Sequence, residues 1–250
     1  MTDTPEHLTP VEQFVRRAEH IAGQIGQDAG HHVPSWLRPG APESRLPAVL
    51  AIVAAIALQR AIPAPYTVVP RWPLIALEIL LLLVLIAINP IRLSRRTTVG
   101  KWASIGLTAA ITADNTASAV VLDYRILTGQ VSNDPKMLLG SGAAIFITNV
   151  IAFGIWYWEL DRGGPFARQD GDQPYPDFLF PQMSDPANAK PGWHPTFVDY
   201  LYVSFTNVVA FSPTDTMPVS RWAKLMMTVQ ALVSMSTLAL VFARAVNVLK

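Results

Sequence analysis

Five blocks of apolar residues most constrain what this chain can fold into. They cover residues 46–62, 72–91, 102–122, 137–158 and 225–249. A helix needs about 20 mostly apolar residues to cross the hydrocarbon core of a bilayer, and most of the blocks approach that length. Charged residues make up 15% of the chain, against about 25% in soluble domains. The blocks therefore predict transmembrane helices rather than a soluble core.

The expected fold is an all-α polytopic membrane protein with four or five transmembrane helices. The first block is short for a span, and the third, residues 102–122, is diluted by polar side chains. In the polar N-terminal segment, Thr9-Pro10-Val11-Glu12 is a capping box that begins an amphipathic helix. The chain divides into that segment (1–45), a helical region (46–158), a proline-rich loop (159–196) and a C-terminal region (197–250).

Composition excludes several classes of function. The chain has no cysteine, which rules out disulfides, thiolate catalysis and cysteine-ligated metals. Its net charge of +1 gives no reason to expect a nucleic-acid partner. No hydrolase, metalloprotease, P-loop or dinucleotide-binding motif occurs, so we expect neither an enzyme nor a metal or cofactor site. The first 45 residues are polar and contain no cleavable signal peptide. We expect insertion into a plasma membrane through internal helices.

The C-terminal region has an order of elements that predicts a re-entrant helix and loop. An aromatic, amphipathic run begins at Phe197 and predicts a short helix. The polar turn Ser212-Pro213-Thr214-Asp215-Thr216-Met217-Pro218 follows and is incompatible with a helix. The last apolar block then begins at Leu225. Non-helical backbone at membrane depth is tolerated only where protein buries it or where it lines a wet cavity.

This order resembles the pore domain of two-transmembrane-helix potassium-type channels, which has a pore helix, a filter loop, an acid-x-x-proline sequence and an inner helix. Asp215-Thr216-Met217-Pro218 matches the acid-x-x-proline, and residues 225–247 match the inner helix. The resemblance implies a homo-oligomer, a tetramer in that family, which conducts monovalent cations across the lipid bilayer. It implies that the constriction is lined or shaped by Phe205, Thr206, Ala210, Phe211, Ser212, Thr214 and Asp215, and that Ser234 and Thr237 face the lumen further down.

The filter departs from the family pattern. Where the family has a run of threonine-valine-glycine-tyrosine-glycine type, this chain has Ala210-Phe211-Ser212-Pro213-Thr214. Glycines permit the alternating backbone that points four carbonyl groups inward, whereas Pro213 fixes its own φ and restricts Ser212. Two outcomes are open: a wider, hydroxyl-lined and weakly selective cation pore, or a closed, vestigial one.

A second resemblance covers the tail from Trp158 onward, about 95 residues. The segments Glu159-Leu160-Asp161-Arg162-Gly163-Gly164-Pro165 and Asp177-Phe178-Leu179-Phe180-Pro181-Gln182, with the pore-like run, are similar to a group of uncharacterised bacterial integral membrane proteins. The similarity implies a bacterial membrane protein and no particular activity.

Three polar residues within the apolar blocks are candidates for an ion site, because intramembrane ionisable groups are costly and often functional. Asp114 and Asn115 either line a cation path with neighbouring threonine hydroxyls or are hydrogen-bonded to other helices. Glu78 lies near the start of its block, where the alternative is snorkelling to the interface.

Three functions are compatible with these observations. The first is an ion-channel-like pore formed by a homo-oligomer. The second is a non-conducting membrane scaffold or accessory subunit, in which the loop 159–196 and the re-entrant segment form a lipid- or protein-binding cap. The third is a small transporter, suggested by Asp114, Asn115 and Glu78, although no internal repeat is visible.

The side of the membrane depends on the third block. Four basic residues lie between the second and the third block: Arg92, Arg95, Arg96 and Lys101. Their positive charge predicts that this connection is cytoplasmic. If blocks three and four both cross, the loop before the pore-like helix is cytoplasmic as well. A potassium-type channel has that loop outside.

Overall fold

The computed structural model describes residues 35–67, 72–89, 92–93, 96–132, 134–185, 189–210 and 215–248. Two predictions lie outside these residues: the amphipathic helix that begins at Thr9, and the filter-like residues Phe211, Ser212 and Thr214. The described chain is mostly helical, as the apolar blocks predict.

Eight α-helices and one short β-ribbon make up the described chain. The helices are α1 (Leu46–Ala61), α2 (Trp72–Ile88), α3 (Thr98–Leu127), α4 (Pro135–Leu160), α5 (Pro165–Asp170), α6 (Pro181–Ser184), α7 (Phe197–Val209) and α8 (Arg221–Val248). The strands β1 (Phe178–Leu179) and β2 (Met217–Pro218) pair antiparallel, with Phe178 opposite Pro218. Single 3-10 turns cover Ser35–Leu37, Ala64–Tyr66 and Asp161–Gly163.

Helix α4 is the centre of the bundle. It packs against α1, α3, α7 and α8, and most of its side chains are buried. Gly154 permits a close approach of α4 to α7, because a Cβ atom there would lie 3.1 Å from the Cα of Leu201 on α7. Small residues at such crossings let helix backbones approach closely, as is common in membrane bundles.

Three helices are long and apolar enough to cross a membrane: α3, α4 (with its following turn) and α8, among the residues described. Helices α1 and α2 are also apolar but have 16 and 17 residues. Helix α3 has 30 residues, about 45 Å at 1.5 Å per residue, and extends beyond both ends of the predicted block. Its polar residues do not interrupt it, because Thr108, Asn115 and Ser118 are turned to the interior.

One end of the bundle collects most of the connections, and we call it the capped end. Helices α1, α3, α7 and α8 begin there, and α2 and α4 end there. The connection from α2 to α3 is held by the backbone, because Leu93 donates its N–H to the carbonyl of Glu43 at 3.1 Å. Exposed Arg96 lies 3.4 Å from both Asp170 and Asp172 of the loop 159–196. The basic connection and the long loop are therefore at the same end.

Candidate functional site

A cluster of charged side chains lies under the loop 159–196 at the capped end, and we call it the charged cap. It consists of Glu43, Arg45, Glu159, Asp161, Arg162 and Arg168. Four of these are 6% exposed or less, namely Arg45, Asp161, Arg162 and Arg168. Buried charges are stable only when hydrogen bonds or opposite charges replace water, so their partners define the site.

Glu43 joins the segment before α1 to two helices far along the chain. Its Oε1 accepts the backbone N–H of Phe197, the first residue of α7, at 2.7 Å. Its Oε2 accepts the indole N–H of Trp158 at 3.0 Å and lies 3.9 Å from Nη2 of Arg168. Burial raises the pKa of Glu43, and the charge of Arg168 and these hydrogen bonds oppose that rise. A carboxylate thus completes the N-terminus of α7, beside the capping box of Thr196 and Asp199.

Asp161 binds the strand β1 and helix α7 together. Its Oδ1 accepts the backbone N–H groups of Asp177 at 2.8 Å and Phe178 at 3.2 Å. Its Oδ2 accepts the hydroxyl of Tyr200 at 2.5 Å. The phenol is the donor in this bond, because an ionised carboxylate only accepts hydrogen bonds. One buried side chain therefore fixes the start of the ribbon and the first turn of α7.

The turn after α4 has a strained backbone that directs Arg162 inward. Arg162 has φ of 53° and ψ of 30°, and it is the one non-glycine residue with positive φ in the part of the chain described. Its Nε donates to the carbonyl of Gln173 at 2.8 Å and its Nη1 to that of Trp36 at 2.7 Å. Gly164 follows with φ of 99°, and a Cβ there would lie 2.8 Å from the carbonyl oxygen of Glu159. This turn accepts only glycine at that position.

Arg168 and the aromatic rings close the cap. Nη1 of Arg168 donates to the carbonyl oxygens of Trp158 at 2.6 Å and Asp161 at 2.9 Å. The guanidinium group of Arg168 lies 4.9 Å from the ring centroid of Tyr200. The ring of Phe178 contacts those of Tyr157, Tyr200 and Trp222, with centroids 4.9, 6.3 and 5.7 Å apart. Tyr200 lies in the first turn of α7 and Trp222 in the first turn of α8. Both ends of the segment 197–222 therefore meet at β1.

A second polar network lies deeper, between α4, α7 and α8. Gln230 on α8 donates from Nε2 to the Oγ of Ser204 on α7 at 2.6 Å. Its Oε1 accepts from the hydroxyl of Tyr157 at 2.6 Å and from Nδ2 of Asn207 at 2.9 Å. Ser204 in turn donates to a carbonyl of α4 at 2.6 Å. Because each of these buried groups has a partner within the chain, the network fixes α7 against both neighbours.

The predicted pore residues have different environments. Phe205 is 47% exposed and Ala210 and Asp215 are exposed, whereas Thr206 bonds the backbone of its own helix. Ser234 and Thr237, predicted to face a lumen, are 3% and 1% exposed. Ser234 accepts from Nδ2 of Asn149 at 2.5 Å, and Thr237 donates to Asp123 at 3.4 Å. Both side chains thus face the inside of a single chain.

The three intramembrane candidates are buried. Glu78 is 0%, Asp114 6% and Asn115 1% exposed, so Glu78 does not reach the surface of the chain. Asp114 and Asn115 are neighbours on α3. Within the described ranges no group of three or more histidine, aspartate or glutamate side chains is arranged to hold a metal ion.

Two cavities flank the charged cap. The first, about 150 Å³, is bounded by the end of α2, the start of α3 and the turn after α4, with Arg45, Lys101, Ser104 and Glu159 in its wall. The second, about 130 Å³, is lined by Glu43, Arg162, Arg168 and His194, among others. Burial and the charge of Arg162 lower the pKa of His194. The cap is therefore a polar region with internal space, unlike the tightly packed network around Gln230.

Comparisons with family models, with curated proteins and with solved structures give no match. Sequence reasoning missed Glu43, Arg45 and Arg168 as members of a site. The hydrogen bonds of the Asp161 and Arg162 side chains go to backbone groups and to a tyrosine, and these partners are distant enough in sequence that no local pattern shows them. One signal in the sequence could have indicated the charged cap: its three arginines and three acidic residues lie in segments that are also rich in aromatic residues and proline.

Proposed function

We propose that this chain is an integral membrane protein of the scaffold or accessory class, in which a pore-like segment has become part of the packed interior. The charged cap holds the long loop and α7 in one arrangement at the membrane surface. In this proposal the capped end is the functional surface, and the bundle is its anchor in the lipid bilayer.

The observation that carries the proposal is the direction of the polar face of α8. Gln230, Ser234 and Thr237 face α3, α4 and α7 of the same chain and are hydrogen-bonded there. The opposite face is exposed and mostly apolar, and it carries Leu225, Val229, Leu232, Met235, Phe242 and Val246. A pore lined by α8 in an oligomer would present these side chains to ions. An apolar surface of this kind is suited to lipid or to another helix.

The pore-like segment supports the same proposal. Helix α7 has 13 residues, about 20 Å, which is shorter than the roughly 30 Å of a bilayer core. Tyr200 near its start and Trp222 near the start of α8 both contact the ring of Phe178, so the two helix starts lie at the same end of the bundle. We infer that α7 enters the membrane from the capped end and that the chain returns to that end, as a re-entrant segment does.

The membrane topology we propose has five spans, α1, α2, α3, α4 and α8, with α1 and α2 as the shorter ones. Arg96 in the connection between α2 and α3 and Lys101 in the first turn of α3 lie at the capped end, so in this proposal that end is cytoplasmic by the positive-inside rule. Such a protein belongs in a plasma membrane, and the resemblance of its tail favours a bacterial one. In this orientation α7 begins at the cytoplasmic side, whereas the pore helix of a potassium-type channel begins outside.

The test is a combined measurement of oligomeric state and conductance. The purified protein is sized in detergent by light scattering and then reconstituted in planar bilayers with potassium and sodium gradients. We expect a folded protein without discrete currents, in both wild type and Asp215→Asn. Discrete cation currents that Asp215→Asn reduces would overturn the proposal and establish the homo-oligomeric pore. If the wild type conducts and Pro213→Gly conducts with a different preference between potassium and sodium, the loop would be identified as a filter.

A further inference from the structure

The cavity of about 150 Å³ at the capped end has a cationic wall. Arg45 lines it, is 5% exposed and donates from Nη1 to the carbonyl of Leu85 at 2.9 Å. Lys101 and Arg96 are exposed members of the same wall. A cavity of about 10–15 Å³ already holds one water molecule, so this space accommodates a small polar group.

Among the residues described, the wall of this cavity has more cations than carboxylates. Glu159 is its one carboxylate among the residues described; it accepts from Ser104 and offsets the buried Arg45. Arg96 already contacts Asp170 and Asp172. Lys101 has no ion pair with any residue that the structure describes. Lys101 is therefore the cation of the wall that remains for an external anion, at the exposed side of the cavity.

An apolar groove begins on the other face of the helix turn that contains Lys101. It is bounded by Leu81, Val84, Thr98, Val99, Trp102 and Ala103, and has a volume of about 500 Å³. Trp102 and Val99 are 65% and 63% exposed in its wall. Lys101 lines the cavity, and its neighbour Trp102 lines the groove. Tryptophan and lysine at one helix end are the usual anchors at the interface between lipid tails and head groups.

We propose that the capped end binds an anionic phospholipid, with its phosphate at the cavity of Arg45 and Lys101 and an acyl chain in the groove of Trp102. A phosphate group carries the negative charge that the wall lacks, and Arg and Lys are the side chains that bind it. Only a lipid presents that charge together with a tail long enough for the adjacent groove. The inference does not depend on whether the chain conducts ions, because neither the cavity nor the groove is lined by residues of the pore-like region 197–250.

The experiment is native mass spectrometry of the purified full chain with phosphatidylglycerol, phosphatidylcholine and, separately, inorganic phosphate. The test variant is Lys101→Gln, which removes an exposed cation without disturbing a buried contact. The matched control is Lys224→Gln, an exposed lysine at the start of α8 that lies outside the cavity. A second variant, Trp102→Ala, removes the groove wall and leaves the cationic wall unchanged.

We expect phosphatidylglycerol to be retained several-fold over phosphatidylcholine, with a loss of about fivefold in Lys101→Gln and no change in Lys224→Gln. Trp102→Ala should weaken lipid retention and leave the weak binding of inorganic phosphate unaltered. Equal retention of both lipids, equal loss in both lysine variants, or retention of inorganic phosphate but of neither lipid would each overturn the proposal. Because no current is measured, failure here is separate from failure of the proposed function.

Discussion

The side-chain amide of Gln230 donates to the hydroxyl of Ser204 at 2.6 Å, and this bond joins α8 to α7 inside one chain. In the pore-domain resemblance these two helices are the inner helix and the pore helix, and α8 would have polar side chains facing a lumen. In the structure the polar face of α8 is instead satisfied by α4 and α7. The contact thus converts a pattern typical of a pore into a packing interface.

Replacing Gln230 by leucine should destabilise the bundle by about 2 kcal/mol. The hydroxyl of Tyr157 and the amide of Asn207 would lose the acceptor they share, and a buried donor without a partner costs about 1–3 kcal/mol. The measurement is thermal or denaturant unfolding in detergent. The control is Thr228→Val, since that exposed hydroxyl bonds only the backbone of its own helix. If Gln230→Leu and Thr228→Val were equally stable, the hydrogen bonds of Gln230 would not contribute to the stability of the bundle.

Gly164→Ala should be among the most damaging small substitutions. At φ of 99° the backbone is in a region that is nearly exclusive to glycine, and the new Cβ would lie 2.8 Å from a carbonyl oxygen. We expect a loss of about 3 kcal/mol in the same unfolding assay. Gly129→Ala is the matched control, since Gly129 also has positive φ but a Cβ there would meet nothing within 4 Å. Gly129→Ala should destabilise the protein by only about 1 kcal/mol. If it destabilised as much as Gly164→Ala, the clash of the Cβ atom at position 164 with the carbonyl oxygen of Glu159 would not contribute.

Glu43→Gln should loosen the first turn of α7. The amide retains one acceptor oxygen where the carboxylate uses two, so either Phe197 or Trp158 loses its partner, and Arg168 loses a nearby charge. Hydrogen exchange followed by mass spectrometry should show faster exchange in the peptide that begins at Phe197. Asp134→Asn is the control, because it changes an exposed cap at the start of α4 and asparagine remains a good N-cap. Unchanged exchange in Glu43→Gln would remove Glu43 from the cap.

Acidification from pH 7 to pH 5 should destabilise the wild type more than His194→Asn. The pKa of His194 is lowered in the folded state, so the unfolded chain binds the proton more readily. The stability that neutral His194 contributes is therefore fully present above its ordinary pKa, about 6.5, and is lost as the pH falls from there through the lowered pKa of the folded state. The measurement is the unfolding midpoint at several pH values. The same pH slope in both proteins would exclude His194 as the titrating group.

The sequence predicts the helices well because apolar blocks have a direct physical meaning in a membrane. Helix α3 was the hardest to recognise, since Asp114, Asn115 and Ser118 dilute its block. Their burial shows why they are tolerated: they face protein rather than lipid. A single sequence shows which residues form a helix. It does not show how that helix is rotated about its axis, which decides which of its residues face the interior of the bundle.

The charged cap could not be predicted in the same way. Glu43 and Phe197 are 154 residues apart, and no periodicity relates them. For the pore-like residues a local pattern is present but has two meanings. The spacing of Ser234 and Thr237 on α8 is the same whether they face a lumen or the interior of the chain. Only the position of α4 distinguishes these possibilities, and the pattern of α8 itself contains no information about α4.

The contact between Glu43 and Phe197 also has a consequence for the order of assembly. Glu43 leaves the ribosome early, whereas Phe197 and the Tyr200 donor of Asp161 are made only after α1 to α4. Until then two acidic side chains at the capped end lack donors that the finished protein supplies. The region from Phe197 onward thus completes a surface that was begun just before the first helix, and a product truncated before α7 would lack the donors for both carboxylates.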